Sequence, residues 1–116
     1  MKLRRLLSDL GFNPTSIGTQ YIIEELKFFY ENNYSEMNKL KEAYNISAEL
    51  HNVEISKVQW DVESAVAVMN KYANKDLIES IFYWYDKYNN ISPRFFMSTM
   101  VEYLWENSDI YNHNHP

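Results

Sequence analysis

The stretch from Tyr44 to Val66, YNISAELHNVEISKVQWDVESAV, has the spacing of a helix-turn-helix unit. Its pattern predicts a helix that ends near Leu50, a short turn over residues 51–54 and a second helix that begins near Ile55. The apolar residues of this second helix fall on one face; they are Ile55, Val58, Val62, Ala65, Val66, Met69 and Ala73. Such a unit is the frame on which many proteins present a helix to the major groove of DNA.

Length and composition restrict the rest of the chain to one helical domain. The 116 residues are enough for one hydrophobic core, and 46 % of them are apolar. Only two Gly and three Pro are present, which is too few for the turns of a β-protein. The absence of Cys excludes disulfides, thiolate metal sites and a cysteine nucleophile.

Six segments have helical periodicity or signals that end a helix. Gly11 is placed as the left-handed terminator of the first helix, and Ser35 is a candidate N-cap for the third. The predicted helices are Leu3–Leu10, Ile17–Glu31, Ser35–Leu50, Ile55–Ala73, Asp76–Tyr88 and Arg94–Glu106. We therefore expect an all-α, compact six-helix domain over residues 1–106, with the helix-turn-helix in helices 3 and 4, and a flexible tail over residues 107–116.

The charge is distributed unevenly along the chain. The formal net charge is −5, and Lys2, Arg4 and Arg5 supply three of the eleven basic residues. The remainder carries 16 acidic residues against 8 basic ones, so a DNA duplex is repelled on average. This balance favours a protein partner, whereas the N-terminal basic cluster suits phosphates. No signal peptide and no membrane span is evident, so we expect a cytoplasmic protein with no membrane partner.

The face of the fourth helix opposite its apolar stripe displays Lys57, Trp60 and Ser64, with Glu63 on the flank. Lys57 suits a phosphate, and Gln59 has the amide needed to read adenine. Trp60 has three interpretations: it packs against a neighbouring helix, it stands exposed as the centre of a contact with a protein partner, or it stacks on or wedges between bases.

Other combinations of residues give little support to catalysis or metal binding. His113 and His115 have no third ligand beside them, so we predict no metal site and no cofactor. No phosphate-binding loop, nucleophile motif or triad spacing occurs, so we predict that the protein is not an enzyme. We interpret Glu24 and Glu25 as solvated surface, and His51 as a contact to phosphate or backbone.

Residues in a fixed order carry a resemblance to a known family. They are Leu10, Gly11 and Pro14, then Gly18 to Ile22, then Tyr44, Ala48, Asn52, Ser56, Val58 and Ala65, and finally Asp76, Ile78, Ser80, Phe82 and Pro93. From Leu7 to Leu104 the chain resembles the C-terminal effector domain of the stage-zero sporulation master regulator of endospore-forming Firmicutes. The resemblance implies a six-helix domain that binds promoter DNA through its fourth helix. In the family this domain is normally attached to a receiver, and here we expect a stand-alone copy without one.

The recognition helix departs from this family at the residues that matter most for DNA. Lys57 keeps the charge of a family arginine, whereas Trp60 and Glu63 stand where the family has two more arginines, and Ser64 stands where it has a histidine. A good bidentate base contact is worth about 1–3 kcal/mol, so losing two removes about 2–6 kcal/mol of specific binding. The resemblance therefore implies a changed DNA specificity.

Two functional hypotheses follow from these observations. In the first, the chain is a transcription regulator that binds double-stranded DNA with altered specificity, through Lys57, Gln59, Trp60, Ser64, Arg4 and Arg5. In the second, the helix-turn-helix frame is a protein-binding module that antagonises another protein, as a chain encoded by a mobile element could; its contacts are Trp60, Tyr83, Trp84 and Tyr88. A homodimer is compatible with either.

Overall fold

A computed structural model describes residues 2–33, 40–82 and 90–112, with side chains up to residue 110. Within these ranges the chain forms seven helices and no strand, which confirms the all-α class. The helices are α1 (Lys2–Leu10), α2 (Ile17–Glu31), α3 (Leu40–His51), α4 (Ile55–Tyr72), α5 (Lys75–Ile81), α6 (Pro93–Glu106) and α7 (Ser108–Asn112). None of the helices in the described ranges is long and apolar enough to cross a membrane.

Helices α2 and α4 form the centre of the fold, and α3 and α6 pack against both. The side chains between them are almost fully buried; the largest include Tyr21, Ile22 and Leu26 of α2, Met69 of α4, and Phe96 and Met100 of α6. This burial follows from the periodic apolar stripes, because each stripe is removed from water when it faces another helix.

Local signals in the sequence explain most helix ends. The hydroxyl of Ser16 accepts a hydrogen bond from the N–H of Thr19, and Asn74 and Ser92 cap α5 and α6 in the same way. Gly11 ends α1 with a φ of +121°, as its type predicts, and the next N–H, of Phe12, reaches the carbonyl of Leu7 at 3.0 Å. These caps fix how α1 leads into the central pair.

The structure differs from the sequence-based boundaries at the end of the fifth helix, and one predicted boundary cannot be compared. The predicted start of the third helix at Ser35 lies outside the described residues, and α3 is described from Leu40. The fifth helix was expected to reach Tyr88, but it ends at Ile81, since the backbone of Phe82 leaves the helical region. Phe82, the residue that directly follows the helix, is completely buried in the core.

A seventh helix stands where the sequence predicts a flexible tail. Helix α7 contacts α1 and α6. Its Ile110 packs against the core, and Asp109 lies 3.9 Å from the ammonium group of Lys2. A five-residue segment has too little periodicity to predict a helix from sequence, and its contact with the distant N-terminus is not visible in a local pattern.

Candidate nucleic-acid interface

The turn between α3 and α4 has the geometry of a helix-turn-helix unit. Helix α3 ends at His51, and Asn52 takes a φ of +53°, which turns the chain sharply. The N–H of Val53 then bonds the carbonyl of Ala48 at 3.0 Å. Helix α4 begins at Ile55, so the predicted turn and second helix are confirmed to within one residue of the expected bounds.

The predicted apolar stripe of α4 faces the core. Its five central members are buried, namely Val58, Val62, Ala65, Val66 and Met69, and Ile55 and Ala73 at its ends are partly buried. The opposite face is open to solvent. The side chains of Lys57, Ser64 and Trp60 are exposed there, and 70 % of the surface of Trp60 is accessible. The interpretation of Trp60 as a core residue is therefore wrong.

Two of the predicted DNA-binding side chains are engaged along α4 itself. The ammonium group of Lys57 lies 2.5 Å from a carboxylate oxygen of Asp61, and this hydrogen bond raises the pKa of Lys57. The amide of Gln59 donates to Glu63 at 2.9 Å. Both pairs join residues one helical turn apart, where side chains of a helix meet. The acids of α4 thus lie beside its DNA-reading candidates.

The N-terminal basic residues divide into two roles. The guanidinium group of Arg4 donates to the carbonyl of Pro14 at 2.8 Å and to the side-chain oxygen of Gln20. It therefore fastens α1 to the start of α2. Arg5 is exposed on the next position of α1, so of the two arginines it is the better placed to meet an external phosphate.

The aromatic residues of the protein-binding hypothesis are only partly accounted for. Tyr83, Trp84 and Tyr88 lie outside the described residues. Trp60 does not stand alone, however, because Ile17 and Val68 are also exposed and border a shallow depression of about 160 Å³ beside Ser64. The outer face of α4 therefore has an apolar section as well as a polar one.

Two acidic residues of α2 are placed differently from the expectation. Glu25 is 1 % exposed, and Glu24 is mostly buried and accepts hydrogen bonds from Ser47 at 3.0 Å and Gln20 at 3.2 Å. His51 lies with its Nε2 2.7 Å from Oε2 of Glu24, the same oxygen that accepts from Gln20. The interpretation of the two glutamates as solvated surface is wrong, and His51 contacts a carboxylate. These contacts join α2 to the C-terminal half of α3.

Burial also changes the acidity of this cluster. It raises the pKa of Glu25 well above the usual carboxyl range, while the hydrogen bond from Ser47 acts in the opposite direction and the charge of Glu24 adds to the increase. The pKa of Tyr44 is raised by burial, and secondarily by Glu25 and Glu63. No group of three or more potential metal ligands occurs within the described ranges.

Sequence reasoning missed a second basic pair beside the recognition helix. An open groove of about 400 Å³ lies between α3, α4 and α6, and Lys41 and Arg94 line it together with Gln59 and Glu63. Lys41 and Arg94 are 53 positions apart in the chain, so no local pattern could have joined them. Only the packing of α6 beside the helix-turn-helix brings them to one place.

A helical domain in which a turn of this kind presents an exposed helix belongs to the helix-turn-helix class of DNA-binding regulatory domains. The family model described as "Sporulation initiation factor Spo0A C terminal" matches residues 3–108. The chain belongs to this family, which is one of DNA-binding regulatory domains and not of enzymes. Searches of curated proteins and of solved structures gave no match.

Proposed function

We propose that this protein is a cytoplasmic transcription regulator that places the outer face of α4 in the major groove of double-stranded DNA and prefers a different sequence from its arginine-bearing relatives. The observation that carries the proposal is the combination of a complete helix-turn-helix frame with an outer face of α4 that is open to solvent. Membership of a DNA-binding family supports the same conclusion.

The polar side chains of α4 can be released to DNA at small cost. Lys57 is exposed and Asp61 is partly buried, and an ion pair at the surface contributes little to stability. A phosphate or a guanine edge offers Lys57 a charge-assisted contact in exchange. Gln59 can leave Glu63 in the same way and present its amide to adenine.

The altered specificity that we propose follows from the acids and the indole on this face. Freed from Gln59, Glu63 accepts hydrogen bonds only, and the base it suits is cytosine through its amino group. Trp60 offers a broad apolar surface to a thymine methyl group or a sugar. A guanine that faces Trp60 or Glu63 should therefore be disfavoured here, whereas relatives that carry arginines at these positions can contact it.

The experiment is fluorescence anisotropy of the purified protein against a pool of random labelled duplexes, scanned from low to physiological salt. DNA binding predicts a linear fall of the logarithm of affinity with the logarithm of salt concentration, with a slope of several units. Lys57→Ala should weaken binding. Lys75→Ala is the matched control, because Lys75 is an exposed lysine on α5, which packs on α1 and α6. Selection from the bound pool then gives the preferred site.

A specific observation favours protein binding as the second candidate function. Trp60, Ile17 and Val68 expose apolar surface on and beside α4, and exposed tryptophans are common centres of protein interfaces. No DNA binding even at low salt, together with capture of a protein partner that is lost in Trp60→Ala, would favour this function. Sedimentation of the chain alone would show whether the partner is a second copy.

A further inference from the structure

We propose that Glu24 of α2 is a positioning residue for DNA binding, which holds the end of α3 through His51 and thereby fixes the direction in which α4 leaves the turn. This inference rests on the proposed function, because it assumes that α4 meets the bases of DNA. It assigns a role in recognition to a side chain of the preceding helix, outside the helix-turn-helix unit itself.

Three donors converge on the carboxylate of Glu24. Its Oε1 accepts from the hydroxyl of Ser47 at 3.0 Å, and its Oε2 lies 2.7 Å from Nε2 of His51 and accepts from the amide of Gln20 at 3.2 Å. A carboxylate only accepts hydrogen bonds, so Nε2 of His51 carries the hydrogen. Ser47 is completely buried and only 14 % of the side chain of Glu24 is exposed, so water weakens these bonds little. The two carboxylate oxygens together hold the last turn of α3.

The side chains of this pair are themselves held in place by further contacts. Gln20 lies one helical turn before Glu24, and its amide oxygen accepts from the guanidinium group of Arg4 while its nitrogen donates to Glu24. The ring of the buried Tyr21 meets the imidazole of His51 edge-on, with the ring centroids 5.0 Å apart. Rotation of either side chain therefore breaks a contact with a second neighbour. A chain of hydrogen bonds thus runs from α1 across α2 to the end of α3.

The start of α4 depends on where α3 ends. His51 is the last residue of α3, and three residues separate it from Ile55, the first of α4. Within this turn the N–H of Val53 bonds back to the carbonyl of Ala48, so the turn moves together with the end of α3. Among the helices that the structure describes, α2, α5 and α6 begin with a side-chain cap, whereas the N-cap of α4, Glu54, makes no such bond. Contacts that hold the end of α3 therefore contribute more to the direction of α4.

The test compares selected and random duplexes for His51→Ala and His51→Gln. His51→Ala should bind the duplex selected from the random pool about tenfold more weakly, which is equivalent to the loss of one base contact. Its slope of log affinity against log salt on random duplexes should stay the same, because the number of phosphate contacts does not change. His51→Gln should restore the affinity for the selected duplex, because its amide offers an N–H to the same carboxylate.

Variants of Glu24 test the other member of the pair. Glu24→Ala should also weaken binding to the selected duplex about tenfold, and the double variant with His51→Ala should be no weaker than Glu24→Ala alone, since both changes remove one contact. Glu24→Gln should bind like the unchanged protein, because its amide oxygen can accept from His51 and its nitrogen can donate to the hydroxyl of Ser47. Glu49→Ala is the matched control; Glu49 is an exposed acid of α3, and its loss should not weaken binding.

Melting temperatures well above the assay temperature ensure that folded proteins are compared, and the two His51 variants decide the result if Glu24→Ala does not fold. Unchanged affinity of His51→Ala for the selected duplex, or failure of His51→Gln to restore it, would overturn the inference and leave the proposed function intact. A slope reduced by about 0.9 in His51→Ala would do the same, because His51 would then be a phosphate contact itself. Failure of the unchanged protein to bind DNA at any salt concentration would overturn both.

Discussion

Gly18 of α2 lies directly against the backbone of Asp61 on α4. A Cβ atom built at residue 18 would meet the carbonyl oxygen of Asp61 and would lie 2.9 Å from the Cβ of Ala65. Only glycine therefore allows the two central helices to approach as they do. This single contact therefore sets how closely α4, the second helix of the helix-turn-helix unit, approaches α2.

Gly18→Ala is expected to destabilise the fold, although alanine is the better helix former. The added methyl group overlaps backbone, which cannot rotate away, and overpacking of this kind costs about 1–3 kcal/mol. The helix-propensity gain of about 0.5–1 kcal/mol offsets only part of it. Urea unfolding measures the change. Ser64→Ala, on the exposed face of α4, is the control and should stay within about 0.5 kcal/mol. Equal or greater stability of Gly18→Ala would show that α2 and α4 can separate freely.

The side chain of Asn70 makes hydrogen bonds to both backbone groups of Ile91. Its side-chain amide donates to the carbonyl of Ile91 at 2.9 Å and accepts from the N–H of Ile91 at 2.9 Å. Ile91 is buried, so both of its backbone groups lose their partner in Asn70→Ala. Each buried polar group left without a hydrogen bond costs about 1–3 kcal/mol, so we expect a loss of at least about 2 kcal/mol by denaturant unfolding.

The matched control for this prediction is Asn45→Ala. The amide of Asn45 donates to Glu49 at 3.3 Å on the exposed side of α3. Its removal leaves no buried group unsatisfied, so the change should stay below about 0.5 kcal/mol. Similar losses in the two variants would mean that the bonds between Asn70 and Ile91 do not stabilise the loop before α6.

Glu25 is expected to make the protein less stable as the pH rises. The pKa of its carboxyl group is raised in the folded state, mainly by burial. A raised acid contributes stability that is complete below its unfolded pKa and is lost as the pH rises through its folded pKa. One such group changes the free energy of unfolding by at most about 1.4 kcal/mol per pH unit. Thermal unfolding from pH 4 upward measures the slope.

Glu25→Gln should remove this part of the pH dependence, because an amide cannot ionise. The variant should gain stability over the unchanged protein as the pH rises. Glu49→Gln is the control, since Glu49 is exposed on α3 and its replacement should leave the slope unchanged. Parallel pH profiles for the unchanged protein and Glu25→Gln would mean that Glu25 ionises in the folded state as it does in the unfolded chain.

Trp60→Ala separates binding from folding. Because 70 % of its surface is exposed, its loss should change the free energy of unfolding by less than about 0.5 kcal/mol. Binding to the DNA or protein partner should weaken by about 2 kcal/mol, as for the centre of an interface. Leu50→Ala is the control, since Leu50 is 67 % exposed on α3. Unchanged binding in Trp60→Ala, with Lys57→Ala impaired, would remove the indole from the interface.

The features that could be predicted from sequence are those that repeat along the chain. The stripe of α4 and the turn before it follow from local spacing, and so does the exposure of Lys57 and Ser64 on the opposite face. Positions that depend on contacts between distant segments could not be predicted. Glu25 has the sequence surroundings of a surface residue, but it is buried where α2 packs against α3 and lies beside the hydroxyl of Ser47. Helix α5 ends where burial of Phe82 overrides helical propensity.

The candidate site shows the same division. The outer face of α4 was predicted residue by residue, since one helix determines it. The contacts of Arg4 were not predicted, because a neighbouring segment decides whether a cation bonds within the protein or remains at the surface. The guanidinium group of Arg4 donates to Pro14 and Gln20, and it thereby joins α1 to the start of α2.

The carboxylate of Asp61 competes with any anionic ligand for the ammonium group of Lys57. The carboxylate already occupies the position that a phosphate or a guanine edge would take, so binding is an exchange of one anion for another. A ligand whose negative charge is not directed at Lys57 gains little by displacing the carboxylate of Asp61. One that offers a well-directed acceptor gains more, and the displaced carboxylate is then left facing the ligand. Any anion that contacts Lys57 on the exposed face of α4 therefore takes the place of Asp61.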